Sequence, residues 1–159
     1  MMMLMLSLLV AGAAPIDNPE CPQASACDFG NSAMRSLRRA DADLKGAEGQ
    51  LLGTLHDKRV VDDLDLEVET VMAIEELVRT WRPGMEAECG VFGAVTGGAS
   101  PWKSAWKVAC EADKARDRAR VLLSVTACLR KRRSDESDPS ACLYPLTPSL
   151  PATYYQGAD

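Results

Sequence analysis

Six cysteines, at positions 21, 27, 89, 110, 128 and 142, most constrain what this chain can fold into. All of them follow an almost wholly apolar opening, Met1 to Val10, and the triplet Ala11-Gly12-Ala13. A short apolar run closed by an A-x-A site reads as a secretory leader and its cleavage point. The run is too short to span a bilayer as a helix. No Lys or Arg precedes it, so the leader is irregular, and no Cys directly follows the small residues, so a lipid anchor is not indicated. An even cysteine count in an exported chain of 159 residues reads as a disulfide framework in a periplasmic or secreted protein. The use of cysteine for zinc would need close Cys or Cys/His clusters, and the only histidine, His56, is near no Cys in sequence. No metal or other cofactor is expected. Six cysteines permit many connectivities, and the spacing alone does not choose among them.

Apolar periodicity predicts an all-α domain of about three helices. Asn31-Ser32 offers an N-cap, and Leu37, Ala40, Leu44, Ala47, Leu51 and Leu55 repeat at helical spacing up to His56-Asp57. Gly46, Gly49 and Gly53 weaken that helix, or equally allow another to approach. A second helix is expected from Asp62 or Asp63, with Leu64, Val68, Val71, Ile74, Val78 and Trp81 as its buried stripe. Pro83-Gly84 reads as a break or kink, followed by a turn of helix bearing Met85 and Cys89 and a loop from Gly90 to Ala99. Ser100-Pro101, a cap and a proline at the first helical position, starts a third helix that ends in Arg130-Lys131-Arg132-Arg133. Cations in a last turn suit the negative end of the helix dipole. Residues 1–13 are thus the leader, 14–133 the helical domain and 134–159 an irregular Pro- and Ser-rich tail tethered by Cys142.

The net charge of −5 conceals an asymmetry. Seven acids and no base lie between residues 62 and 76: Asp62, Asp63, Asp65, Glu67, Glu69, Glu75 and Glu76. Ten bases against three acids lie between 101 and 133. Two such helices joined by a turn attract one another or solvate two faces. The basic stretch resembles a nucleic-acid footprint, but the acidic balance, the leader and the cysteines argue against that partner. Peripheral contact with anionic headgroups fits an envelope protein better. For catalysis the sequence offers no nucleophile elbow, phosphate loop or zinc motif, and the acids form no recognisable glycosidase pair. The expectation is a protein that is not an enzyme, with His56 at a helix end or on the surface. Trp81, Trp102 and Trp106 are expected as core anchors.

The stretch from Trp81 to Leu122 carries a resemblance. A Trp eight positions before Cys89, the Gly97-Gly98-Ala99-Ser100 turn, Cys110, Arg118 eight residues on and Leu122 four further resemble the LprI-like lysozyme inhibitor family. The likeness runs from about Cys21 to Leu122. It implies a small, helical, cysteine-stapled envelope domain in which Trp81, Gly97, Gly98, Ser100, Arg118 and Leu122 are scaffold positions. Gly84 and Met85 stand where that family usually has an aromatic-Arg pair. The resemblance and the helix-turn-helix pattern both favour pairing Cys89 with Cys110, with Cys21–Cys27 and Cys128–Cys142 as local completions.

The function implied is to bind and block a lysozyme, protecting peptidoglycan. Many lysozymes are basic, so Asp62, Asp63, Asp65, Glu67, Glu69 and Glu76 are candidate partner-binding residues that would steer encounter. The 90–100 loop is the segment expected to enter a cleft. The alternative is an envelope interaction module without lysozyme affinity, working through the basic helix.

Overall fold

A computed structural model describes residues 21–64, 66–131 and 140–147. The leader, Asp65, the 132–139 stretch and the chain beyond Thr147 lie outside these. The described residues are mostly helical, with no strand among them. They form α1 (Ala26–Leu55), α2 (Lys58–Leu64), α3 (Val68–Val95), α4 (Ser100–Lys131), α5 (Ser140–Leu143) and a 3-10 turn (Tyr144–Leu146). Three long helices therefore carry the fold, as expected, and two short ones are added to them.

The first helix starts earlier than Asn31-Ser32. Ser25 is the cap, its hydroxyl accepting from the Asp28 backbone N–H at 3.2 Å, while Asp28 accepts in return from the Ala24 N–H. This reciprocal arrangement satisfies otherwise orphaned donors and outcompetes the later site. Asn31 instead points its amide at the sulfur of Cys21, beside the Cys21–Cys27 disulfide. The predicted stripe is otherwise the buried one: Ala40, Leu44, Ala47, Leu51 and Leu55 are almost wholly inaccessible, and Ala33 joins them.

The acidic stretch divides between two helices. Asp57 caps α2 through its side chain and its carbonyl, and the Leu66 N–H closes that helix on Val61. Leu64 and Leu66 both enter the core, which turns the chain before α3 can start. Val68, expected in the buried stripe, sits in the first turn of α3 and is 73% exposed. The core side of α3 comprises Val71, Ile74, Val78, Trp81, Met85 and Cys89.

Pro83 does not break α3. A proline withholds one backbone bond, here to the carbonyl of Arg79. The apolar face nevertheless continues on the far side through buried Met85 and Cys89, and packing holds the helix together. The helix runs to Val95, so the expected 90–99 loop shrinks to residues 96–99. Gly98 provides the left-handed turn (φ 112°), whereas Gly97 does not need positive φ. Ala99 supplies the capping carbonyl of α4, accepting from Trp102 and Lys103, so Ser100 and Pro101 are its first two helical residues.

α1 and α4 run parallel. Phe29 packs with tilted rings against Trp102 and Trp106 near one end, Arg116 reaches Ser36 midway, and Arg130 reaches Thr54 at the other end. Alanines 112, 115 and 119 on α4 let α1 approach closely, and Leu122, Val125 and Leu129 fill the wider part. α3 returns antiparallel, tied to α4 by the Cys89–Cys110 disulfide (Cα–Cα 5.6 Å). The Cys128–Cys142 disulfide holds α5 against the end of α4, burying Cys142 and Leu146. Part of the supposedly irregular tail is therefore a short ordered element.

Gly93 lies where α3 packs tightly against α4. A Cβ built there would lie 2.7 Å from the Lys103 carbonyl oxygen and 2.9 Å from the Lys107 Cβ. Gly46, Gly49 and Gly53 face open space instead, so they do not serve helix approach. Gly93→Ala should lose about 1–3 kcal/mol through overpacking. Alanine at 46, 49 or 53 should add about 0.5–1 kcal/mol each. Urea denaturation of the four single variants checks both signs.

Candidate functional site

Two residues of the sequence motif, Trp81 and Arg118, meet between α3 and α4, on the side of the Cys89–Cys110 disulfide away from the 96–99 turn. The Arg118 guanidinium lies over the Trp81 ring, 5.7 Å from its centroid, a cation–π distance. Beside this pair opens a groove of about 630 Å³. Its walls are apolar where Leu77, Met85 and Val121 contribute, and Gly84 widens it by having no side chain. Leu122 is fully buried beneath α4, and Trp81 is half-buried. Trp81, Arg118, Leu122 and the two cysteines thus form one connected structure, whereas Gly97, Gly98 and Ser100 lie at the turn beyond it.

The charges around the groove differ in how they are compensated. Lys114 bonds Glu88 across the helices at 2.6 Å, and Asp117 pairs with Arg120 on α4. Arg82, the neighbour of Trp81, donates to Asp41 on α1 at 2.7 Å. That hydrogen bond is the main reason its pKa is raised, against some desolvation. Arg118 is the contrary case. Burial lowers its pKa, only partly opposed by the field of Glu48, and its Nη2 is shielded from solvent without a hydrogen-bond partner. A desolvated donor left unpaired is costly.

The proposed acidic face is not a single surface. Asp62 is exposed on α2, and Glu67 and Glu69 are exposed around the start of α3. Glu75 holds the His56 ring at 2.6 Å, and Glu76 takes both nitrogens of an Arg79 fork. The Asp63 side chain and Asp65 lie outside the described residues. On α4, Lys107 faces Glu111 at 3.0 Å and Arg116 pairs with Asp113. The basic helix is therefore laced with its own acids, and much of its field is spent locally.

Of the three tryptophans expected as core anchors, Trp81 packs on the main core, whereas Trp102 and Trp106 are half-buried outside it against Phe29, with centroids at 5.9 and 4.7 Å. Sequence reading passed over Phe29, Asp41, Glu48 and Glu88, because each matters only through a residue far away in the chain. Two further features stand out. A second depression of about 440 Å³, almost wholly apolar, lies between the first turns of α3 and Leu143, Tyr144 and Leu146. Val91, Phe92 and Val95 form an exposed apolar patch at the end of α3. Among the described residues no group of three His, Cys, Asp or Glu could hold a metal ion, and no helix is long and apolar enough to cross a membrane. Chemically, the groove can hold an apolar group and an anion together.

No protein-family model, curated protein or solved structure matches the chain.

The contrast between the two arginines is testable. Asp41→Asn removes the partner of Arg82 and should cost about 1 kcal/mol, with helicity retained. Chemical denaturation monitored by circular dichroism reads the difference.

Proposed function

We propose that this chain is an exported, non-enzymatic binding domain of the LprI-like kind, which engages a lysozyme and blocks it. The observation that carries the reading is the stapled α3–α4 hairpin. The residues on which the resemblance rests fall together there, with Trp81 against Arg118 and Cys89 bonded to Cys110. Three disulfides are compatible with a periplasmic or extracellular protein, where such bonds persist. Binding without chemistry suits a surface that offers an apolar groove and an arginine. Steering of a basic lysozyme falls to the exposed Asp62, Glu67 and Glu69, since Glu75 and Glu76 are held by His56 and Arg79.

A second reading is favoured by the apolar patch of Val91, Phe92 and Val95, which are 64%, 46% and 75% exposed. Such a patch serves an envelope interaction module equally well without any lysozyme affinity. The ion pairs along α4 make contact with a membrane through the basic helix the weaker form of this alternative.

Lysozyme digestion of bacterial cell walls separates the two readings. Oxidised mature protein should inhibit in proportion to dose, and reduction should abolish the effect. Folded, oxidised protein that leaves lysis untouched at large molar excess leaves the interaction module standing. Given inhibition, the triple change Asp62→Asn, Glu67→Gln and Glu69→Gln should slow association several-fold at low salt and flatten its salt dependence. Stopped-flow rates identical to the parent protein would remove the steering role.

A further inference from the structure

We propose that the α3–α4 groove is a binding site for a carboxylate carried on an apolar group, with Arg118 as its anchor. The inference goes beyond the lysozyme reading and rests on the groove alone.

Three observations converge on it. First, the groove is chemically divided: Leu77, Met85 and Val121 offer apolar wall, and Arg118 borders the same space. Second, the other charged side chains that line it are already paired, Lys114 with Glu88 and Asp117 with Arg120. Arg118 makes no ion pair with a described residue, and its Nη2 has no acceptor. Glu48 acts on it only through its field. Third, the chain knows how to satisfy an arginine at this level of the bundle, because Arg82 has Asp41. An acceptor for Arg118 is missing where one helix away it is supplied.

A half-buried cation without an acceptor costs stability, and apolar replacements of such groups are often neutral or stabilising. The Trp81 ring compensates the Arg118 charge in part, and a bound anion would supply the acceptor that Nη2 lacks. A guanidinium fixed against an indole face is pre-organised for a planar carboxylate. A small rotation of the Arg118 side chain presents its unpaired N–H groups to an acceptor seated in the groove, while an attached apolar body covers the wall. Gly84 leaves the opening into which that body fits. The carboxylate can belong to a free small acid or to a side chain of a protein partner; the recognising chemistry is shared.

The test is calorimetric titration of the oxidised protein with 3-phenylpropionate and, in parallel, with its neutral amide. Trp81 lines the groove, so intrinsic fluorescence gives an independent reading. The acid should bind with a Kd of about 1 mM or tighter, and the amide about tenfold more weakly, the loss expected for one charge-assisted hydrogen bond. Arg118→Met should abolish the preference for the acid while leaving the melting temperature unchanged or higher. Arg118→Lys should restore part of it. An acetylated peptide with an internal Glu between leucines distinguishes the sources. Tighter binding than the free acid places the carboxylate on a protein, and weaker binding places it on a small molecule. Equal affinity for acid and amide in the unmodified protein, or no binding of either, overturns the proposal whether or not the variants fold. Full retention of acid binding by Arg118→Met overturns it also. Because the titration contains no lysozyme, its failure leaves the inhibitor reading to its own assay.

Discussion

The contact on which the structure most depends is the join between α3 and α4. Gly93 lets the two backbones approach until there is no room for a methyl group, and the Cys89–Cys110 disulfide locks the helices just beside that point. α1 needs no such device, because it packs on α4 along an alanine and leucine seam of nearly its whole length. α3 has no comparable seam. Beyond the staple, residues of both helices line the groove. A small domain with a modest core gains from covalent closure of this sort, which restricts the unfolded chain as well as fixing the folded one.

How much of this was legible beforehand depended on whether a feature was local. The stripe Ala40-Leu44-Ala47-Leu51-Leu55 was readable because periodicity is a property of one helix. The three cysteine pairs are those favoured from the resemblance and from sequence proximity. Of the break or kink expected at Pro83, the break does not occur, because a breaker acts locally while Met85 and Cys89 beyond it are buried. Asn31-Ser32 misled because the Ser25–Asp28 pair offers a better cap earlier in the chain. The acidic run looked like one face until Leu64 and Leu66 turned the chain between α2 and α3. The groove was not legible at all. It needs Trp81 and Arg118 to meet from two helices, and nothing in either neighbourhood announces that Arg82 finds a carboxylate while Arg118 does not.

Charge pairing links the fold to the function. Many of the described ionic side chains sit in short-range pairs on the surface, where each contributes little to stability. Among the side chains outside those pairs, Asp62, Glu67 and Glu69 are exposed near one end of α3, and Arg118 lies on the groove with its Nη2 shielded from solvent. The first set acts at a distance and suits steering. The second acts at contact and suits recognition. Both fit the binding role proposed above, and the Cys89–Cys110 staple holds together the two helices that line the groove.

The central claim is that the stapled α3–α4 side is the working face. Its most direct test is a proton–nitrogen NMR titration of the oxidised protein with a basic lysozyme, following the Trp81 indole and Arg118 Nε signals against those of Trp102 and Trp106. The account predicts shifts at Trp81, Arg118 and their groove neighbours, with the tryptophans at the other end unmoved. Shifts confined to the Trp102 and Trp106 end, with the groove silent, would contradict it.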